Sequence, residues 1–286
     1  MGSLDTLSSH KTPLPQCEEK LVLFDIDGTL VDAHYETTDD RIFASIKMAK
    51  EEGWVLGLSS DTPHKSLVDW GKYFGIDGPI IAEKGALVDV RGEKITIAES
   101  PHNFIEMREQ IVSSFQEKGI VVWQGNPVNF LKNKETIGQP GDLVVLINSL
   151  REQSLGCFFR TVAQNGELSI DIDVTENLAA QIRSFYPEGN VFQEDLNHSH
   201  GLIIVSHKDI DKRTGSLELQ KIMQIGKFAM IGNSLADYIG DDIAIHLSVA
   251  DGTPEYRNIA SFVSASPITS GAVEALEALV LSKKSS

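Results

Sequence analysis

Cysteine is nearly absent from this sequence of 286 residues: there are two, Cys17 and Cys157, one in a polar leader and one beside Phe158 and Phe159. Thiols so few and so far apart imply neither a disulfide framework nor a metal site. Long apolar runs are missing as well. The longest, residues 143–147 and 202–205, fall far short of the roughly 20 residues of a membrane-spanning helix. Positive charge is scarce, with 25 Lys and Arg against 41 Asp and Glu and a formal net charge of -16. Such a field repels nucleic acid and anionic membranes, so neither is expected as a partner. A phosphate-bearing ligand needs a local reversal of it. Residues 1–19 are rich in Ser, Thr and Pro and lack the apolar stretch of a secretion signal. They are expected to form a flexible N-terminal tail on a cytoplasmic protein.

What remains is ordinary globular composition, 41% hydrophobic and 23% charged, in a chain long enough for two domains. Residues 21–24 form an apolar run ending at Asp25-Ile26-Asp27-Gly28, which reads as a buried strand entering a turn. Residues 39–52 place apolar side chains at helical spacing, with Gly53 set to stop the helix. Residues 54–58 read as a strand, 66–74 as a helix and 79–82 as a strand. This rhythm predicts a parallel sheet with helices on its faces. It resumes with strands at 228–231, 244–249 and 261–264, a helix over 235–242 and a terminal helix over 271–282. The stretch between carries helical patterns at 104–118 and 177–186 and strand patterns at 120–123, 143–147 and 168–172. The expected fold is α/β, a doubly wound Rossmann-like core of residues 20–84 and 206–286 with an inserted α+β cap domain at 85–205. The hinges fall near 83–86 and 206–211.

The sharpest local feature is Asp25-Ile26-Asp27-Gly28-Thr29-Leu30. Alternation in an extended segment sends Asp25 and Asp27 to one side, and Gly28 permits a sharp exit. Two carboxylates sharing a site call for a cation, because like charges otherwise raise one pKa. A hard cation such as Mg²⁺ suits oxygen ligands and bridges carboxylates to phosphate. One Asp then serves as nucleophile and the other as proton donor and acceptor. An ordinary Asp-Gly turn is the competing reading. A calcium loop is excluded, since its glycine belongs at the sixth position, after a helix. His34, His64, His102, His198, His200, His207 and His246 lie in different segments, and no nucleophile elbow supports Ser-His-Asp catalysis.

The DxDGT element after the first strand resembles that of the haloacid dehalogenase-like phosphohydrolase superfamily, and the order of later elements strengthens the likeness. The resemblance implies Asp25 as the nucleophile that becomes an aspartyl-phosphate, Asp27 as acid and base, and Gly28 and Thr29 beside the substrate. The second motif is similar to Val55-Leu56-Gly57-Leu58 running into Ser59-Ser60. It implies Ser60, with Ser59 as alternative, as the hydroxyl on the phosphoryl oxygens. Where the family often has Gly-Arg, this chain has Asp61-Thr62. The third motif resembles Asp211-Lys212-Arg213-Thr214-Gly215 and implies Lys212 as the cation facing nucleophile and phosphate, with Lys208 and Arg213 as competitors. The fourth resembles Gly232-Asn233-Ser234-Leu235-Ala236-Asp237. There Asn233 replaces a carboxylate and Ala236 an Asn, which leaves one negative charge fewer on magnesium. Asp241 is expected one helical turn further on the same face.

Residues 80–86 are similar to the corresponding turn of Cof-type members, with Lys84 in place of Asn, and the insertion resembles a type C2 cap of subtype B. The expected catalytic residues are Asp25, Asp27, Ser60 and Lys212. Gly28, Thr29, Ser59, Ser60 and Lys212 are expected at the substrate, and Asp25, Asp27, Asn233 and Asp237 on Mg²⁺. The implied activity is hydrolysis of a small phosphorylated metabolite, foremost a sugar phosphate. A catalytically weakened binding or regulatory protein and a phosphomutase are the alternatives.

Overall fold

A computed structural model describes residues 18–97, 103–186 and 191–284. Cys17, His102 and residues 1–17 of the expected tail lie outside the described residues. The tail prediction ends too late, because the amides of Glu18 and Glu19 both donate to the Lys227 carbonyl and tie this segment to the core.

The chain runs β1 (Leu21–Phe24), α1 (Arg41–Glu51), β2 (Val55–Ser59), α2 (His64–Phe74) and β3 (Ile80–Ala82), then a 3₁₀ turn at Glu83–Gly85, β4 (Leu87–Val90) and β5 (Glu93–Thr96). Next come α3 (Phe104–Glu117), β6 (Val121–Gly125), α4 (Pro127–Lys132), β7 (Leu143–Asn148), β8 (Ser154–Val162), β9 (Leu168–Ser169), α5 (Ile172–Arg183), β10 (Phe192–Asn197) and β11 (Leu202–His207). It closes with α6 (Lys212–Met223), β12 (Phe228–Gly232), a 3₁₀ turn at Leu235–Asp237, β13 (Ala244–Ser248), α7 (Pro254–Ile259), β14 (Phe262–Val263) and α8 (Ile268–Lys284).

The larger sheet has eight strands in the order β14-β13-β12-β1-β2-β3-β4-β5. The first six in that order pair in parallel, and β4 and β5 add an antiparallel edge. Every residue of β1 is buried, as a central strand covered on both faces requires. The expected cap boundary at residue 85 therefore differs from the strand pairing, which carries the larger sheet on to Thr96. The turn at Gly92 reverses the chain and returns the polar, exposed β5 along the apolar, buried β4.

The inserted unit has its own six-stranded sheet, β10-β11-β8-β7-β6 with β9 alongside β8. Period-two alternation splits its side chains between two faces. Val145, Ile147, Leu155, Cys157 and Phe159 pack with Ile111 and Phe115 of α3 and Leu178 and Ile182 of α5. Val144, Leu146 and Val162 pack instead with Phe130 of α4. Cys157 is free and buried, and burial pushes its thiol well above the ordinary range. Among the described residues no helix is long and apolar enough to cross a membrane.

The helix expected over 235–242 is a single 3₁₀ turn. Asp237 caps that turn itself, Tyr238 is extended, and Gly240 takes φ 102, so the chain cannot wind on. Asp241 is therefore exposed and faces His246 across 3.5 Å, not the site.

The start of α6 is set by close backbone approach. Gly85 has φ 106, and a Cβ there would lie 1.9 Å from the Asp211 carbonyl oxygen. Gly215 in turn passes the Gly85 backbone, where a Cβ would meet Gly85 Cα at 2.9 Å. Gly75 also has positive φ, 75, but faces open space. Gly75→Ala should therefore cost only the left-handed backbone penalty, about 1–2 kcal/mol. Gly85→Ala adds backbone overlap and should cost at least about 2 kcal/mol more. Urea unfolding midpoints of the two variants check this, and equal losses would refute it.

Candidate active site

Register brings three strand ends to one edge. Phe24 lies opposite Leu58 of β2 and opposite Ile231 of β12, so Asp25, Ser59-Ser60 and Gly232-Asn233 leave the sheet side by side. The chain after β1 closes at once on itself: the amides of Thr29, Leu30 and Val31 donate to the Ile26 carbonyl, and the Gly28 amide donates to Val31. Gly28 has φ 77, and the Asn233 side chain packs where a Cβ would stand, 2.1 Å from its Nδ2. The first and fourth motifs are thereby in contact.

At the centre lies Lys212, the first residue of α6. Asp211 caps that helix by accepting the Thr214 amide at 2.8 Å. Lys212 Nζ donates to Asp25 Oδ1 at 2.8 Å and to Asp237 Oδ1 at 2.6 Å. All three are buried, Asp237 completely. Burial alone would strip the ammonium of its proton, but attraction by Asp237 and Asp25 outweighs it and holds Lys212 above the usual lysine pKa. Burial, then repulsion from Asp237, raises Asp25 well above the usual carboxylate range against the pull of Lys212. Removing Lys212 from this buried group would cost about 3–5 kcal/mol, because two carboxylates are then left without a counter-charge. Of the competitors, Lys208 is exposed and Arg213 pairs with Asp242 at 2.8 Å.

Asp27 sits at the mouth, reached by solvent yet walled by protein. Lost hydration, then repulsion from Asp61, raises its pKa to about 6. Thr62 Oγ1 lies 3.4 Å from its Oδ2. Tyr35 shares this environment: burial and the fields of Asp27 and Asp61 push its hydroxyl up to about 12. A side chain titrating near 6 can both give and take a proton close to neutrality.

The hydroxyls divide into engaged and free. Ser60 Oγ accepts the Thr62 amide at 3.2 Å. Ser59 Oγ and Thr29 Oγ1 are buried without a hydrogen-bond partner among the described residues. Asp237, expected among the metal ligands, has both oxygens in use. Oδ1 faces Lys212, and Oδ2 accepts the amides of Asn233 at 2.9 Å and Ser234 at 3.0 Å. Its influence on the site runs through Lys212.

Among the described residues no three His, Cys, Asp or Glu side chains are grouped to hold a metal ion. The open donors are oxygens on Asp25 and Asp27 and the amide of Asn233, beside a buried excess of negative charge that makes Asp25 hard to ionise. Magnesium is commonly held by one or two carboxylates together with waters and substrate phosphate. The donor chemistry therefore fits a hard divalent cation, with one carboxylate fewer than a fully acidic site.

Two residues absent from the sequence-based site belong to its surroundings. Glu83, buried and with φ 48, accepts the Glu152 amide at 2.7 Å, the Gln153 amide at 2.9 Å and the Ser154 hydroxyl at 2.6 Å. It thus binds the β7–β8 turn of the inserted unit to the core. From that turn Arg151 reaches the Asp61 carbonyl at 3.0 Å. Nothing local in the sequence marks either residue, since a lone Glu in a hinge and a lone Arg in a turn look like surface residues.

Removing the Asp61 charge should lower the Asp27 midpoint from about 6 toward the ordinary value of about 4, leaving the part due to burial. Carboxyl-carbon NMR titration of metal-free Asp61→Asn checks this, and an unmoved midpoint would contradict it.

The sequence profile of the haloacid dehalogenase-like hydrolases matches residues 22–276. A phosphoglycolate phosphatase of Staphylothermus marinus is 24% identical over 266 residues, covering 91% of this chain and 98% of that protein. A haloacid dehalogenase-like hydrolase of Bacteroides thetaiotaomicron superposes with TM-score 0.61 at 14% identity, covering 90% of this chain and 98% of that one. A subclass IIB sugar phosphatase of the superfamily superposes with TM-score 0.57 at 15% identity, covering 91% and 98%. The match spans both halves of the larger sheet and the inserted unit between them, and the chain belongs to the haloacid dehalogenase-like hydrolase family.

Proposed function

We propose that the chain is a magnesium-dependent phosphatase acting on a small phosphorylated metabolite of the sugar-phosphate class. The observation that carries this reading is the buried Lys212 held between Asp25 and Asp237, a fixed cation beside a carboxylate at the mouth of an otherwise acidic protein. Relatives named as phosphoglycolate phosphatase and sugar phosphatase support the same class of reaction.

An Asp25 oxygen attacks phosphorus in line as the bond to the leaving oxygen breaks, and the proton held by Asp27 passes to that oxygen. Asp27, now ionised, takes a proton from water as the water oxygen attacks the aspartyl-phosphate. The bond to Asp25 breaks, and inorganic phosphate leaves. Lys212 offsets the charge on Asp25 and the transferring group throughout. Ser60, Ser59 and Thr29 supply hydroxyls, and Gly28 lets the phosphoryl group come close to the backbone. Asp25, Asp27 and Asn233 are the residues to hold Mg²⁺, which when bound supplies positive charge to the phosphoryl oxygens and favours ionised Asp25. The inserted unit acts as the cap at residues 97–207, excluding bulk water and selecting the leaving group.

Asp25→Asn should lower phosphate release from every substrate by at least about a thousandfold, with folding retained by circular dichroism. Full activity in that variant sinks the proposal. Asn233→Asp restores a carboxylate and should tighten Mg²⁺ binding by about tenfold. Calorimetric titration with the metal alone is the check, and unchanged affinity would remove Asn233 from the ligand set.

A further inference from the structure

Arg151 is a buried cation that the reaction above leaves unused. It is only 7% exposed, and among the described residues no carboxylate comes within salt-bridge distance of it. Its hydrogen bonds all come from one nitrogen: Nη1 donates to the Asp61 carbonyl at 3.0 Å and to Ser154 Oγ at 2.9 Å. Among the described residues Nε and Nη2 have no acceptor, though neither is fully enclosed, since neither is among the buried atoms without a partner. Burying a guanidinium without a direct ion pair is costly; the buried Glu83 carboxylate lies one hydroxyl away through Ser154, which leaves Nε and Nη2 open to an oxyanion from outside the protein.

The side chain is also held in place. Ser154, which receives Nη1, donates its own proton to Glu83 at 2.6 Å, and Glu83 anchors the adjoining backbone through the Glu152 and Gln153 amides. Arg108 donates to the carbonyls of Ser149 and Arg151 at 3.3 Å, which pins the turn from the other side. Gly156 clears the path, since a Cβ there would lie 2.8 Å from Arg151 Nε. The guanidinium ends beside Asp61, which directly follows Ser60, and its field is felt at Asp27.

We propose that Arg151 is a specificity residue that binds a second anionic group, carboxylate or phosphate, carried close to the ester on the leaving group of the substrate. The proposal rests on the phosphatase reading for where the phosphoryl group sits. Lys212 serves the group at Asp25, while Arg151 stands on the Asp27 side, where the leaving oxygen receives its proton. The free nitrogens form the planar fork that pairs with an oxyanion. The substrate is thus a compact phosphate monoester carrying a second anionic group, carboxylate or phosphate, and the inserted unit tests its charge as well as its size.

Three ligands on the same two-carbon frame provide the test: 2-phosphoglycolate, the bisphosphate of ethanediol, and 2-hydroxyethyl phosphate, whose second group is neutral. Calorimetric dissociation constants are measured with Mg²⁺ on Asp25→Asn protein, which does not turn over, with Arg151 intact, Arg151→Gln and Arg151→Lys. With Arg151 intact, at least one of the first two ligands should bind about tenfold or more tighter than 2-hydroxyethyl phosphate, as a charged hydrogen bond warrants. Which one does identifies the group as carboxylate or phosphate. Arg151→Gln should bring the ratio within about twofold, and Arg151→Lys should leave an intermediate ratio. Each ratio is taken within one protein, so a loss of folded fraction cancels, and should the Gln variant fail to fold, the Lys variant and the Arg151-intact ratio still decide. No preference with Arg151 intact, or a preference that survives the substitutions, overturns the proposal. Phosphate release by the Asp25 protein is assayed separately. If none of the three ligands nor any sugar phosphate releases phosphate, the hydrolytic reading fails while the binding ratios stand.

Discussion

A single buried ammonium organises this molecule. Lys212 has no water to hydrate it, so it is stable only because Asp25 and Asp237 lie within hydrogen-bond reach on either side. Each of the three comes from a different stretch of chain, after β1, at the start of α6 and in the turn after β12. The close passage of Gly85 and Gly215 sets where α6 begins. The amides of Asn233 and Ser234 fix Asp237, and sheet register fixes Asp25. A shift of Lys212 would leave two carboxylates buried without a counter-charge, at a cost comparable with much of a domain's net stability.

The same geometry resolves the conflict between an acidic chain and an anionic ligand. With a net charge of -16, the surface repels phosphate. Two cations buried from opposite sides, Lys212 from the core and Arg151 from the inserted unit, offset part of the local negative charge, where low dielectric strengthens their effect. Glu83 links the two arrangements, since it adjoins the strand end carrying the site and holds the turn carrying Arg151.

Much of this was legible in the linear chain. The DxDGT element, the alternation of strand and helix, the serines after β2 and Lys212 with its capping Asp211 are local patterns, and local patterns report local structure. Errors arose where a local pattern was outweighed. Residues 235–242 look helical, yet Asp237 spends its carboxylate on capping a single turn. Residues 87–96 look like the start of the insertion, yet β4 pairs with β3 and β5 with β4. Arg151 was invisible, since its meaning depends on a carbonyl ninety positions earlier in the chain.

Composition and hydrophobic period were sufficient to establish an α/β architecture, because burial and turn formation act over a few residues, and the first aspartate motif pointed to phosphate chemistry through its likeness to a known family. Which carboxylate faces ligand and which is consumed in holding the lysine, and which cation arrives from the inserted unit, emerged only with the folded chain. Those properties depend on distances of about 3 Å between groups far apart in sequence, the range over which hydrogen bonds and desolvation decide the state of a charge.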